Sequence, residues 1–531
     1  MKTFTNSLLL FLIVQTAVFS QNFRETLQTI DVQHYKLTLE VLDSTSSINA
    51  TMDISFRLKK NVHTVQFDFV QKDSLGVGMA VDSISENNKI ITYLHENNQL
   101  KISADSLKID SLYTFSINYH GIPTDGLIIS NNKFGDKTIF GDNWPNRAHH
   151  WFPCIDHPSD KATVEYIVTA PNTYQVIANG IKVEETNLSD SKKLYHYKTF
   201  IPLPTKVMVI GVAKFAVQQS ATFNQIPVTT WVYPQTKQEG FFDFENATSI
   251  LQFFTDKIGP YPFEKLANVQ SKTRYGGMEN ASAIFYNENY VTGKRTFDAT
   301  IAHEIAHQWF GNSVSEIDWP HIWLSEGFAT YFENLYMLHS KGNVEFQKRI
   351  KADKNKIIAF SKNQLTPVVD FKTTNLMALL NPNSYEKGGF ILYMLHQKVG
   401  EENFWNGIKL YYDTFKYKNA FTNDFKNTMS AVSGMNLDQF FKQWLEQAGH
   451  PILKTSWIYY QNKLGIIIDQ TQETIFKFPL DVELIYEDGT SEIKTIEVLN
   501  KYEPHEIPTT NNVVKVNFDP NNRLLVEFVI E

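Results

Sequence analysis

Short stretches in which apolar and polar residues alternate dominate the first part of the chain, to about residue 215. Alternation with a period of two is typical of strands that bury one face, and residues 49–58 (NATMDISFRL) and 163–169 (TVEYIVT) show it clearly. Turn residues separate these stretches, and Asn179-Gly180 predicts a hairpin turn. We therefore expect a β domain over residues 21–215, in which 34–42 and 113–119 are also strands.

The period of the apolar residues changes after about residue 235. Apolar residues then recur every three to four positions up to residue 446, which predicts a series of helices that includes one over 297–310. Gly449-His450-Pro451 ends the series, and alternating stretches return over 452–531, with a hairpin turn at residues 487–490. The pattern predicts a multidomain α+β protein with a β domain (21–215), a helix-rich domain (216–449) and a small C-terminal β-sandwich (450–531).

The first twenty residues are typical of a secretory signal peptide. A lysine precedes a short apolar run, Leu8–Val14, that is too brief to span a membrane. Val18 and Ser20 fit a cleavage site before Gln21. No other segment is long and apolar enough to cross a membrane. We therefore expect removal of residues 1–20, export to the periplasm or the extracellular medium, and no transmembrane span in the mature chain.

Charge and cysteine content argue against nucleic-acid binding and against disulfide bonds within the chain, and they indicate little else about function. The formal net charge of −8 gives no electrostatic reason to bind nucleic acid, so we expect no nucleic-acid partner. Cys154 is the only cysteine, so no disulfide bond can form within the chain despite the predicted export. Stability must come from packing and from any bound metal. The sequence predicts no particular oligomeric state.

The pattern His303-Glu304-x-x-His307 carries the first specific chemistry. Histidines four residues apart on a helix project from one face, about 5–6 Å apart at Cβ, so one metal ion can bridge them. Glu304 lies one residue round the helix, where it can reach a metal-activated water. Glu326, nineteen residues after His307 at the start of the next predicted helix, is the candidate third ligand. The sequence thus predicts one catalytic Zn2+ per chain, bound by His303, His307 and Glu326.

The order of several motifs resembles the gluzincin zinc aminopeptidase family of aminopeptidase N and the leukotriene epoxide hydrolase. The resemblance extends from about residue 30 to 450 and is that of a three-domain bacterial-type member. It implies a saddle-shaped N-terminal β-sheet domain, a thermolysin-like catalytic domain and a C-terminal β-sandwich. Besides the histidine motif and Glu326, the segments that carry it are Trp151-Phe152-Pro153-Cys154, Gly276-Gly277-Met278-Glu279-Asn280 and Asn383-Ser384-Tyr385-Glu386-Lys387-Gly388.

The resemblance also implies a role for each motif residue. Glu304 would be the general base, and Tyr385 would donate a hydrogen bond to the oxyanion. Glu279 would pair with the cationic α-amine of a peptide, so that the first peptide bond lies at the metal. The expected substrates are therefore peptides with a free N-terminus. The other implied substrate-binding residues are Gly276 and Gly277, which let the peptide backbone approach closely, Met278 as a pocket wall, and Asn280.

Two positions ahead of the Pro-Cys segment depart from the family pattern. Relatives usually have a glutamine, followed two residues later by a glutamine or glutamate, ahead of the Pro-Cys segment. Counted back from Pro153 without gaps, these positions hold Asp142 and Trp144. The later family side chain helps to bind the substrate amine, so Asp142 is a candidate replacement for it.

Three alternatives to an aminopeptidase remain open. A catalytically inactive member that binds peptides or scaffolds a complex would be expected to lose a metal ligand, the base or the oxyanion donor. Endopeptidase activity is disfavoured by Glu279, which rejects substrates that continue N-terminally. Epoxide hydrolysis shares the glycine motif with pure aminopeptidases, so that motif does not favour it. Against the inactive alternative, the chain keeps all five residues: His303, Glu304, His307, Glu326 and Tyr385.

Overall fold

The computed structural model describes residues 27–529, which divide into two compact units. The first unit contains the described residues through Trp319 together with Tyr412–Phe421. The second contains Pro320–Tyr411 and the residues from Thr422 onward. The predicted signal peptide lies outside the described residues. Within them, no helix combines the length and the apolar character that crossing a membrane requires. The predicted domain boundaries at 215 and 449 stay a prediction.

The N-terminal part of the first unit is a β domain built on a nine-stranded sheet, as the alternating pattern predicts. The four strands predicted from that pattern are confirmed as β1, β2, β8 and β11, and in each of them one face is largely buried. The sheet order is β13-β14-β11-β1-β2-β8-β4-β5, with β15 beside β11, and smaller sheets are β12-β16-β10-β9 and β3-β7-β6. The strands are β1 (Ile30–Glu40), β2 (Ile48–Leu58), β3 (Thr64–Asp68), β4 (Gly78–Glu86), β5 (Lys89–Ile90), β6 (Tyr93–Glu96), β7 (Gln99–Ser103), β8 (Leu112–Ile122), β9 (Leu127–Asn131), β10 (Lys137–Gly141), β11 (Lys161–Pro171), β12 (Gln175–Ala178), β13 (Ile181–Ser189), β14 (Lys192–Lys198), β15 (Leu203–Pro204) and β16 (Ile210–Ala213).

The hairpin predicted at Asn179-Gly180 is wrong. The strand before this turn, β12, pairs with β16, whereas the strand after it, β13, pairs with β14, so the turn connects two different sheets. The Asn179 side chain explains the crossover because it accepts a hydrogen bond from the Val209 amide at 2.6 Å and donates one to the Ala281 carbonyl at 2.7 Å. Gly180 has a φ of +74°, which glycine adopts without steric cost.

The rest of the first unit contains a five-stranded sheet with the order β17-β18-β19-β21-β20. Its central strand β19 is buried along its whole length and runs parallel to both neighbours, as expected for a strand covered on both faces. The two-residue strand β20 forms one edge. The elements are β17 (Ala216–Phe223), β18 (Ile226–Val232), α1 (Lys237–Asp243), α2 (Ala247–Lys257), β19 (Leu266–Ser271), β20 (Gly277–Met278), β21 (Ala283–Asn287), α3 (Asp298–Ala306), β22 (Ser315–Glu316) and β23 (Asn419–Ala420).

Helix α3 ends earlier than the predicted 297–310. It stops at Ala306 because regular helical bonding gives way to two successive turns, at residues 307–309 and 311–313. The Asn312 amide donates to the His307 carbonyl at 3.1 Å, and the Gly311 amide donates to the Val314 carbonyl at 2.7 Å. Gly311 has a φ of +120°, a conformation that side-chain-bearing residues rarely adopt. The apolar residues after His307 thus belong to a tight turn.

The second unit combines helices with C-terminal strands, and this order confirms the predicted multidomain α+β fold. The strands form the sheets β28-β25-β24-β30 and β27-β26-β29. The predicted hairpin at residues 487–490 is confirmed, since it joins the antiparallel strands β26 and β27. The elements are α4 (Trp323–Lys341), α5 (Asn343–Asn363), α6 (Gly388–Val399), α7 (Glu401–Phe415, whose last four residues belong to the first unit), α8 (Thr422–Ser433), α9 (Asp438–Phe441), β24 (Ile452–Tyr460), β25 (Lys463–Gln470), β26 (Phe478–Tyr486), β27 (Ser491–Val498), β28 (Tyr502–Pro508), β29 (Val513–Phe518) and β30 (Glu527–Phe528).

Candidate active site

Two histidine side chains meet at the C-terminal end of helix α3. His303 lies in the last turn, and His307 directly follows the helix with φ −56° and ψ −25°, so the helical spacing continues through it. The Nε2 atoms of the two rings are 3.1 Å apart. Two nitrogens at 2.0–2.1 Å from one tetrahedral zinc ion would be separated by about 3.3 Å. The pair therefore fits a shared metal ion without rearrangement.

The turn after the helix fixes the orientation of the His307 ring. Its Nδ1 atom lies 3.2 Å from the carbonyl oxygen of Phe310. A carbonyl can only accept a hydrogen bond, so Nδ1 carries the proton and Nε2 presents its lone pair toward His303. An outer hydrogen bond of this kind is what orients metal-binding histidines. The donor set is therefore prepared for a cation such as zinc.

Glu304 packs against a glycine of the upstream motif. The side chain is buried, and a Cβ placed on Gly277 would lie 2.2 Å from its Oε1 atom. Only glycine at position 277 therefore leaves room for this carboxylate. The neighbouring Gly276 has an analogous contact, since its Cβ would lie 2.1 Å from the Tyr290 hydroxyl. The sequence interpretation of both glycines, as space for a peptide, did not include these contacts.

Glu279 lies in the same buried group as Glu304 and His307. One ligand atom from each of the three side chains lies within 4.8 Å of the others. Two buried carboxylates at this separation repel each other when both are ionised, and a nearby cation offsets that cost. The arrangement is therefore suited to binding a positive charge beside the histidines.

The motif that contains Glu279 runs along an open sheet edge. Strand β20 (Gly277–Met278) pairs with β21 on one side only. An edge strand has backbone groups to which an extended peptide can add as a further strand. Met278 and Asn280 are both buried, with exposed fractions of 2% and 0%. Their predicted contact with substrate stays a prediction.

Asp142 is fully buried and bonded within the protein. One carboxylate oxygen pairs with the Arg147 guanidinium at 2.5 Å, and the other accepts a hydrogen bond from the Arg274 amide at 3.2 Å. Burial raises the pKa of Asp142, although Arg147 acts in the opposite direction. These contacts tie the segment 142–147 to the chain just before Gly276. Its predicted role as an amine acceptor stays a prediction, and Arg147, which sequence reasoning missed, is the partner that the structure adds.

Trp144, the second departure from the family pattern, lies in an aromatic cluster. Its ring is 2% exposed and meets the rings of Tyr275 and Trp319 edge-on, with centroids 6.3 and 6.1 Å apart. The Trp144 ring thus packs beside Tyr275, the residue directly before the glycine motif.

The second unit contains the other two predicted site residues. Glu326 lies in the first turn of helix α4 and is buried. Tyr385 lies in a single π-helical turn, Asn383–Lys387, directly before helix α6. The two segments are in backbone contact, because a Cβ on Gly327 would lie 2.8 Å from the Cα of Gly388. Within this unit, the helix that contains Glu326 therefore packs against the segment that contains Tyr385.

The Tyr385 turn is held by a buried lysine. The Lys387 ammonium donates to the Gly449 carbonyl at 2.9 Å, and burial lowers its pKa to about 8. The Asn383 side-chain amide donates to the Thr366 carbonyl at 2.9 Å. Single π-helical turns occur mostly where a side chain must be displaced from regular helical spacing, often at functional sites. The apolar period predicts a regular helix through residues 385–398, and the structure corrects this prediction to the π-helical turn followed by α6.

Two protein-family profiles match the chain: Peptidase M1 N-terminal domain over residues 31–207 and Peptidase family M1 domain over residues 242–444. Similar proteins include glutamyl aminopeptidase of Rattus norvegicus, 28% identical over 369 residues that cover 65% of this chain and 39% of the relative. Probable aminopeptidase 2 of Sulfurisphaera tokodaii is 25% identical over 430 residues (77% and 54%), and probable aminopeptidase 1 of Saccharolobus solfataricus is 27% identical over 364 residues (65% and 46%). The chain thus spans about two fifths to about half of the length of these relatives. The two profiles follow each other in the order that the motifs predicted, and the chain belongs to the M1 family of peptidases.

Proposed function

We propose that this protein is a zinc-dependent aminopeptidase that hydrolyses the N-terminal peptide bond of peptides with a free α-amine. The observation that carries the proposal is the buried group Glu279, Glu304 and His307, with ligand atoms within 4.8 Å of one another. This proximity supports the proposal because it would put the proposed amine acceptor, general base and metal ligand side by side. The names of the similar proteins, glutamyl aminopeptidase and probable aminopeptidase, support the same reaction.

His303, His307 and Glu326 are the proposed ligands of one zinc ion, which when bound would polarise the scissile carbonyl and acidify a water. The 3.1 Å separation of the histidine nitrogens and the Nδ1 proton of His307 support the first two ligands. The burial of Glu326 in the first turn of α4, nineteen residues after His307, supports the third.

Glu304 is the proposed general base. Its carboxylate would take a proton from the attacking water and later deliver it to the leaving amine. Burial against Gly277 keeps this carboxylate away from bulk solvent, so proton transfer within the site is favoured over exchange with solvent. Tyr385 would donate its hydroxyl proton in a hydrogen bond to the oxygen on which negative charge develops.

Glu279 is the proposed acceptor for the substrate amine. An α-ammonium group placed beside it would offset the repulsion between the Glu279 and Glu304 carboxylates, so the free amine gains affinity that a blocked amine lacks. The open edge of β20 would align the peptide backbone in an extended conformation. Together these contacts would set the cleavage point one residue from the N-terminus.

The most direct test of this specificity compares L-aminoacyl p-nitroanilides with their N-acetylated forms. We expect the purified protein to release p-nitroaniline from the free-amine substrates and to spare the acetylated ones. Glu279→Ala should reduce this preference, and Glu304→Gln should retain zinc but lose turnover. Cleavage of both substrate classes at equal rates would refute the aminopeptidase proposal and favour an endopeptidase. No cleavage of either class by zinc-loaded protein would favour the inactive peptide-binding alternative.

A further inference from the structure

Two buried side-chain amides converge on the backbone of Glu279. The Gln308 Nε2 atom donates to the Glu279 carbonyl oxygen at 2.9 Å, and the Asn312 Nδ2 atom donates to the same oxygen at 2.6 Å. Both side chains have an exposed fraction of 0%. Gln308 directly follows the proposed zinc ligand His307, so the segment that ends helix α3 holds the backbone of the proposed amine acceptor.

Gln308 also holds the far side of the same loop. Its Oε1 atom accepts a hydrogen bond from the Ser282 amide at 2.9 Å, so one glutamine bridges residues 279 and 282. Ser282 has a φ of +62°, a left-handed conformation that costs energy for a residue with a side chain. Its hydroxyl oxygen accepts a hydrogen bond from the Gly180 amide at 2.9 Å. The loop that carries Glu279 is therefore fixed in one conformation by its surroundings.

The turn after helix α3 links this loop to the histidines. Asn312 reaches Glu279 because its own backbone amide bonds the His307 carbonyl at 3.1 Å and reverses the chain. The same turn places the Phe310 carbonyl against His307 Nδ1. One short segment thus orients a proposed zinc ligand and fixes the position of Glu279.

We propose that Gln308 and Asn312 form an amide clamp, a pair of positioning residues that sets the distance between the Glu279 carboxylate and the metal-binding histidines. The clamp thereby controls how strongly the protein selects a free N-terminal amine. It acts through the Glu279 backbone. The Gln308 Nε2 atom also lies 3.5 Å from the Glu304 carbonyl oxygen, a longer contact than the 2.9 Å bond to Glu279. This inference rests on the proposed aminopeptidase function and adds to it the residues that determine its amine selectivity.

Gln308→Glu and Asn312→Asp test the clamp with minimal change in shape. Each replaces the amide donor by a carboxylate oxygen that cannot donate to the Glu279 carbonyl, while Gln308→Glu still accepts from Ser282. Displacing a binding group by about 1 Å can cost as much as 100-fold in rate. We expect the ratio of kcat/KM for free over N-acetylated aminoacyl p-nitroanilides to fall at least about tenfold, mainly through a higher KM for the free-amine substrates. Zinc content should stay at one ion per chain.

Gln470→Glu is the matched control. Gln470 is equally buried and bridges the amide and carbonyl of Phe476 at 3.0 and 2.8 Å in the C-terminal strands. It should lower stability without changing the substrate ratio. An unchanged ratio in folded, zinc-loaded Gln308→Glu or Asn312→Asp would overturn the clamp. If only one of the two variants folds, its kcat/KM ratio alone tests the clamp.

Glu279→Ala separates failure of the clamp from failure of the proposed function. A reduced ratio in Glu279→Ala together with a normal ratio in either folded, zinc-loaded clamp variant would refute the clamp and leave the aminopeptidase proposal standing. A normal ratio in Glu279→Ala would refute the assigned role of Glu279 and the clamp with it. A reduced ratio in all three variants supports both.

Discussion

At Gly277 the missing side chain determines where the Glu304 carboxylate can lie. The two residues are 27 positions apart, and their contact exists only because strand β20 passes the end of helix α3. The spacing of His303, Glu304 and His307 could be interpreted from the sequence because an i, i+4 pair depends only on local helix geometry. The contact of Gly277 with Glu304, and that of Gln308 with Glu279, depends on tertiary packing and has no local signal.

Gly277→Ala should therefore impair the base while leaving the fold intact. The added methyl group would lie 2.2 Å from Glu304 Oε1, and the flexible glutamate side chain can move to relieve the clash. We expect kcat to fall roughly 100-fold with zinc content and thermal stability near those of the unmodified protein. Steady-state kinetics and metal analysis of the purified variant measure both.

Gly465→Ala in strand β25 is the control, because its Cβ would lie 3.3 Å from the nearest side-chain atom and 3.7 Å from the nearest backbone atom, the Ile458 carbonyl oxygen. It should keep full activity. Wild-type turnover in Gly277→Ala would contradict the placement of Glu304 as the base.

At the scale of elements, helix α4 and the Tyr385 turn are joined by glycine contacts. Gly327 follows Glu326 directly, and its Cβ would meet the backbone of Gly388 at 2.8 Å. The apolar period predicted both helices of this contact, but it could not predict the π-helical turn over Asn383–Lys387 or the early end of α3. The π-helical turn and the early end of α3 both depend on hydrogen bonds to backbone groups outside the helix, and the spacing of apolar residues contains no information about such bonds.

Gly327→Ala should separate these two elements. A methyl group cannot fit against backbone atoms at 2.8 Å, so we expect a loss of about 1–3 kcal/mol in the free energy of unfolding. Because Glu326 is the adjacent residue, we also expect weaker zinc binding. Urea unfolding and competition with a zinc chelator measure the two effects.

Gly389→Ala serves as the comparison, since its nearest contacts are longer: the Thr330 methyl group and Cβ at 3.1 and 3.2 Å, and the Gly327 carbonyl oxygen at 3.3 Å. Its effect on zinc affinity should be clearly smaller. Equal zinc affinity in both variants and in the unmodified protein would contradict the proposed coupling of this contact to Glu326.

At the scale of the whole chain, the order of motifs was the most informative feature of the sequence. Independent motifs between residues 151 and 388 predicted the family and the multidomain α+β fold, and both are confirmed by the profiles over 31–207 and 242–444. The sequence did not predict how the β domain connects to the proposed site residues. Asn179 makes that link by bonding Ala281, two residues from Glu279, across a turn that local sequence alone indicated as a hairpin.

The proposed function requires one zinc ion per chain for turnover. The measurement that tests it most directly is titration of the metal-free protein with zinc while the rate of aminoacyl p-nitroanilide cleavage is followed. We predict no turnover without metal, a linear recovery that ends at one zinc per chain, and no recovery for Glu326→Ala at the same zinc concentration. Full activity of the metal-free protein, or recovery of Glu326→Ala equal to that of the unmodified chain, would contradict the account.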